Sequence, residues 1–161
     1  MLETVVYVGA LSAMVVVVFT ILFSLTGSFF ESKLYNEITF SAGTVMERMV
    51  REVRTASSVD TTNSVFDTNP GRLILNTTDE AGSSKIVEFY FDEDTKTIGL
   101  VDGGVDKGSL TGGHTDVTNI IFRKQDTPKG AIVKIELSLE GNIRHSIKGN
   151  FFDSAVLRGA Y

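Results

Sequence analysis

The sequence predicts an α+β chain: one long N-terminal α-helix, apolar in its first half, packed against a C-terminal antiparallel β-sheet. Three observations predict it. No charged residue lies between Glu3 and Glu31. An apolar stripe at three- and four-residue steps then runs from Leu34 to Ala56. After Gly71 come short apolar or alternating segments joined by turn residues, with no helical pattern between them.

The charge-free stretch reads as an anchor. Thr4 to Leu25 is TVVYVGALSAMVVVVFTILFSL. As a helix these residues span roughly 33 Å at about 1.5 Å per residue, which matches a bilayer core of about 30 Å. A cleavable signal peptide fits poorly, since it calls for a basic start and a shorter apolar run, and here only Glu3 is charged. A core helix of a soluble domain is apolar on one stripe, not around its whole circumference.

The helix continues past the anchor and becomes amphipathic from Phe29. Leu34, Ile38, Ala42, Val45, Met49, Val53 and Ala56 form the stripe. Between them stand Glu31, Lys33, Glu37, Glu47, Arg48, Arg51, Glu52 and Arg54, whose charges cancel. Glu47 with Arg51 and Arg48 with Glu52 have the spacing of pairs on one helix face. No proline precedes Pro70, so the expectation is one helix from Leu2 to Ser57, about 80 Å long. The chain divides into residues 1–28 (membrane or filament-core helix), 29–57 (amphipathic continuation) and 58–161 (antiparallel β head).

Ser58 to Gly71 is rich in Asp, Thr and Asn and reads as a connecting loop. Candidate strands follow at Arg72–Thr77, Lys85–Phe91, Lys96–Val101, Val117–Lys124 and Ala131–Leu139. In the last of these, Val133, Ile135, Leu137 and Leu139 alternate with Lys134, Glu136 and Ser138, the pattern of a half-buried strand. A return strand over Asn142–Lys148 is expected through Glu140-Gly141. Asp92 to Thr95 reads as a hairpin loop, and the Gly-rich segment Gly103 to Gly113 as a surface loop. Short turns without intervening helices imply an antiparallel meander.

Composition excludes several chemistries. The chain has no cysteine among its 161 residues, so disulfides, thiolate metal sites and cysteine nucleophiles are ruled out. From Asp60 onward it carries 15 acidic and 11 basic residues, and no basic patch favours nucleic acid. His114 and His145 lack neighbouring ligands. Asp92, Glu93 and Asp94 are weak candidates for a cation, and the solvated hairpin is the simpler reading because the spaced ligands of a calcium loop are missing. Asn76-Thr77-Thr78 satisfies the glycosylation triplet, a short motif of little weight alone. Ser57-Ser58 has no partner histidine. No cofactor is implied, and nothing points to an enzyme.

Leu2-Glu3-Thr4-Val5-Val6-Tyr7-Val8 resembles the mature N-terminus of the type IV pilin and pseudopilin superfamily, where a glutamate opens the apolar run and an aromatic follows four residues later. Met46 to Ser58 resembles the helix end of the branch holding the larger minor pilins and pseudopilins, and Ser154 to Gly159 that branch's C-terminus. In the family a basic leader ending in glycine is removed, and the glutamate then stands four residues after an N-methylated terminus. Here it stands two residues after Met1 with no leader. The sequence therefore reads as a mature chain whose true first residue is left open.

The resemblance implies a structural subunit of a type IV pilus-like filament of identical subunits. It implies a stay in the inner membrane before assembly, and an extracellular fibre on a prokaryotic surface afterwards. A prepilin peptidase and an inner-membrane assembly platform are the implied partners. Met1, Glu3 and Tyr7 become the assembly residues, with Glu3 neutralising a neighbour's terminal amine; the simpler alternative leaves Glu3 in the headgroup layer, where the helix dipole favours it. The family's kinking proline is absent. The weak helix formers Val15, Val16, Val17, Val18, Ser24 and Gly27 mark where the helix is expected to loosen once the bilayer no longer enforces it. A minor pilin or pseudopilin of a secretion or DNA-uptake system, and a monomeric membrane-anchored binding module, are the competing readings.

Overall fold

The computed structural model describes residues 2–79, 81–112, 115–128, 130–141 and 147–157. The first element, α1 (Leu2–Thr55), is an unbroken helix of 54 residues, about 80 Å long at 1.5 Å per residue. Among the described residues eight strands follow: β1 (Ser58–Val59), β2 (Leu73–Thr78), β3 (Ser84–Asp92), β4 (Thr97–Asp102), β5 (Val105–Ser109), β6 (Thr115–Thr127), β7 (Gly130–Gly141) and β8 (Lys148–Val156). All pairings are antiparallel. They form a five-stranded sheet in the order β1-β2-β3-β4-β5 and a three-stranded sheet in the order β6-β7-β8.

The amphipathic half of α1 is the spine of the head. Leu34, Ile38, Ala42, Val45, Met49, Val53 and Ala56 are all buried, as the stripe predicts. Burying each larger side chain among them is favourable by about 1.5–3 kcal/mol. They meet Leu73, Leu75, Val87 and Phe89 of the larger sheet and Val117, Ile120, Phe122, Val133, Ile135, Leu137 and Leu139 of the smaller one in a single core. The helix lies mainly against β7 and β8. The approach is close because two positions there carry no side chain. A methyl group at Gly141 would sit 2.7 Å from Leu34, and one at Gly149 would lie 3.3 Å from Ile38.

The helix end is fixed to β2. Ser57 donates both its backbone N–H (2.8 Å) and its hydroxyl (2.9 Å) to the Asn76 carbonyl. The Thr77 hydroxyl donates to the Thr55 carbonyl at 3.3 Å. The segment between β1 and β2 then joins the two sheets. Asp67 N–H donates to the Phe122 carbonyl and Gly71 N–H to the Ile120 carbonyl, at 2.9 and 2.8 Å. Ile120 N–H donates to the Asn69 side-chain oxygen at 3.0 Å. Gly71 is a required glycine, because a methyl there would stand 2.9 Å from the Phe122 ring and 3.0 Å from the Ile120 carbonyl oxygen.

Several expectations are corrected. The Gly-rich segment is not simply a loop: Gly103 and Gly104, both at positive φ, make the tight turn into β5, the geometry of a two-residue hairpin. β5 escaped notice because its residues, Val-Asp-Lys-Gly-Ser, are exposed throughout and carry no apolar alternation. The return strand that is described is β8, beginning at Lys148; of the expected segment Asn142–Lys148, residues 142–146 lie outside those described. The connecting loop contributes the short β1 and an isolated bridge between Val65 and Arg72. Arg48 pairs with Glu52 at 2.9 Å, while Glu47 and Arg51 form no pair, and both side chains face solvent.

Surface ion pairs tie neighbouring strands: Arg72 with Glu88, Lys85 with Asp102, and Arg123 with both Glu136 and Asp67. Hydrogen bonds from the Arg123 side chain hold the Glu136 carboxyl below its usual range. Asp60 is lowered chiefly by its hydrogen bond from the Asn63 side chain. Asp92 is lowered chiefly by bonding to the Thr95 side chain.

Two predictions follow from this packing. Replacing Gly141 by Val forces Leu34 off the sheet and lowers head stability by about 1–3 kcal/mol, read as a reduced thermal midpoint of the full chain in detergent. The lowered carboxyls stabilise the folded head above the ordinary carboxylate range, and that stabilisation is lost as pH falls through their folded values. The thermal midpoint is therefore level from neutral pH to about 5 and drops below about 4, as a pH series of melts would record.

Candidate functional site

The largest chemical feature of the molecule is a surface. Every residue from 3 to 33 is exposed, and Leu34 is the first that the head covers. Between Val5 and Phe30 that surface is built of Val, Leu, Ile, Phe and Met side chains, more than half exposed in most cases. α1 is long and apolar enough to cross a membrane. Water does not tolerate a contiguous apolar surface of this extent; such patches mark contact with lipid or with protein.

Three hydroxyls on this surface are taken up locally. Ser12 donates its hydroxyl to the Val8 carbonyl at 2.8 Å, Thr20 to Val16 at 2.9 Å, and Thr26 to Leu22 at 2.8 Å. Each closes onto the carbonyl four residues back, so these hydroxyls need no outside partner. The Phe19 and Phe23 rings stack at 6.4 Å. The result is a rod whose sides offer apolar contact and almost no hydrogen bonding.

Glu3 lies in the first helical turn, where the positive end of the helix dipole favours a carboxylate. Tyr7 sits one turn further and is exposed on the same side. Met1 lies outside the described residues. Val15, Val16, Val17, Val18, Ser24 and Gly27 all hold regular helical backbone in the single chain. All six are exposed, so no contact with the head holds them.

The remaining candidates do not gather into a centre. The Asp92 side chain accepts the Asp94 and Thr95 backbone N–H groups at 3.0 and 3.4 Å, which makes it a turn former between β3 and β4. Among the described residues no group of three or more His, Asp or Glu converges to hold a metal. His114 and His145 lie outside the described residues. Asn76 is within β2 and donates its amide to the Ser58 hydroxyl at 3.2 Å. Ser57 is occupied in fixing the helix end. Lys96 and Asp116 pair at 3.3 Å on the rim of a shallow cleft shared with Phe91, Glu93 and Glu140.

The sequence pattern passed over one residue. Phe40 falls between Ile38 and Ala42, out of phase with the buried stripe, and is 78 % exposed. An aromatic at a solvent-facing position of an amphipathic helix is the signal that points to it.

No protein-family model matches the chain, and neither the curated proteins nor the solved structures yield a match to it. Its architecture is pilin-like in layout: a long N-terminal helix, apolar and uncovered in its first half, packed in its second half on antiparallel sheet.

Proposed function

We propose that the chain is the structural subunit of a type IV pilus-like extracellular filament, held together by bundling of its N-terminal helices. The observation that carries this reading is the uncovered apolar half of α1, continuous in one helix with the spine of the folded head. Before assembly that half sits in the cytoplasmic membrane with the head outside. In the filament the helices of neighbouring subunits replace the lipid, and the heads form the outer layer. The function is mechanical, with no bond made or broken by the subunit itself.

Exchanging lipid for other helices changes little apolar exposure, because lipid tails are as apolar as leucine. Hydrophobic burial alone therefore cannot set the register between subunits. Glu3 can. A carboxylate in an apolar environment is unfavourable by roughly 2.5–3.5 kcal/mol even on lenient scales, and pairing with the terminal amine of an adjacent subunit removes that cost at one axial position only. Tyr7, one turn away, packs beside the pair. An assembly platform and a leader peptidase in the same membrane are the partners this reading requires.

Two outcomes test it. Fibres sheared from cells should contain this chain as their repeating subunit, and Glu3→Ala should cut fibre yield by about tenfold or more, equivalent to about 1.4 kcal/mol, with the thermal midpoint of the head unchanged. Recovery of the wild-type chain only as a membrane monomer contradicts the filament, and its presence only at fibre tips favours the minor-pilin reading. In assembled fibres, amides between Val15 and Ser28 should exchange with solvent deuterium faster than those of Leu34–Thr55; equal protection would show that the helix does not loosen.

A further inference from the structure

We propose that the face of α1 turned away from the sheets, centred on Phe40 and Gly43, is a contact surface for the helix of a second copy of this chain. The partner's identity rests on the filament reading; the existence of the contact surface rests on three observations of its own.

The first is reach. Phe40 stands 37 residues beyond Glu3, about 55 Å along the helix, whereas a bilayer including its headgroups is about 40–45 Å thick. A helix anchored from Glu3 therefore carries Phe40 clear of the lipid. The head does not cover it either: Ile38, Ser41, Ala42 and Val45 are buried beneath the sheets, while Phe40, at 78 % exposed, points the other way.

The second is Gly43. A glycine in the interior of a helix destabilises it by roughly 0.5–1 kcal/mol relative to alanine. Nothing within the chain requires it, since an added methyl group at Gly43 would meet no atom within 4 Å. Close approach of another backbone is the remaining reason for a missing side chain here, and Phe40 lies one turn away on the same face.

The third is charge. Arg51 and Arg54 continue that face toward the helix end, both exposed. Among the described residues neither forms an ion pair, and neither does Glu37 on the flank of Phe40. A parallel copy displaced by about 21–26 Å brings its Glu37 level with Arg51 and Arg54, since 14 and 17 residues separate them. The same chain thus carries both halves of a complementary contact.

The test uses the absence of native cysteine. The full-length Phe40→Cys variant is labelled with a benzophenone maleimide, irradiated in its native membrane or in fibres, and its adducts are mapped by mass spectrometry. The expected adduct joins the probe to residues 29–55 of a second copy. Adducts to lipid alone, to a different protein, or none at all overturn the proposal. Gly43→Leu provides an independent reading, because leucine is the better helix former. The melting midpoint should stay level or rise, while recovery of assembled chain falls by about tenfold, or 1.4 kcal/mol; undiminished assembly overturns the proposal. If copy-to-copy adducts form in membranes of cells that make no fibres, the contact surface stands and the filament reading falls.

Discussion

The stripe from Leu34 to Ala56 has to be covered, and the layout of the head follows from how it is covered. One helix face offers ten buried side chains over about six turns, nine of them apolar. Two sheets share it, with β7 and β8 making most of the contact and β2 and β6 adding to it, and the inner residues of β3 and β4 completing the core. Gly141 and Gly149 let the helix come close. The Ser57 and Thr77 bonds then fix the helix end to β2, and the segment around Asn69 and Gly71 bonds to β6 and keeps the two sheets from parting.

Because that spine is fixed, the first half of the same helix is held out as a rod that the sheets leave exposed. The Ser12, Thr20 and Thr26 hydroxyls are closed back on the backbone, and the rod's backbone hydrogen bonds are those of one continuous helix. Such a rod is equally content in lipid or among its own copies, and this indifference is what a subunit that moves from membrane to fibre requires. In the filament we propose, specific polar pairing supplies the order that apolar contact cannot, through Glu3 at the start of the helix and through Glu37, Arg51 and Arg54 in its second half.

Much of this was legible in the residues, for physical reasons that can be named. The helix could be read because its first half is uniformly apolar and its second half periodic; all seven predicted stripe positions are buried, and Ser41, Met46 and Val50 beside them are buried as well. β7 could be read because a central strand with one wet face must alternate. β5 and β8 could not: β5 is an exposed edge, and β8 faces the core partly through Gly149 and Ala155, which leave no apolar trace. The way the two sheets are joined was equally hidden, because it depends on bonds between the Asp67–Gly71 segment and β6 that leave no periodic pattern. The candidate surface was legible as an anchor, but Phe40 was not, since its significance appears only once Ile38 and Ala42 are seen to point the opposite way.

The central claim is that the exposed half of α1 is covered by other copies of itself. A cryo-EM reconstruction of native fibres tests it most directly. The account predicts residues 3–33 in the fibre interior, packed against the same residues of neighbouring subunits, with the sheets outside. A fibre built by sheet-to-sheet contact with the helices projecting free, or one whose interior is another protein, would contradict it.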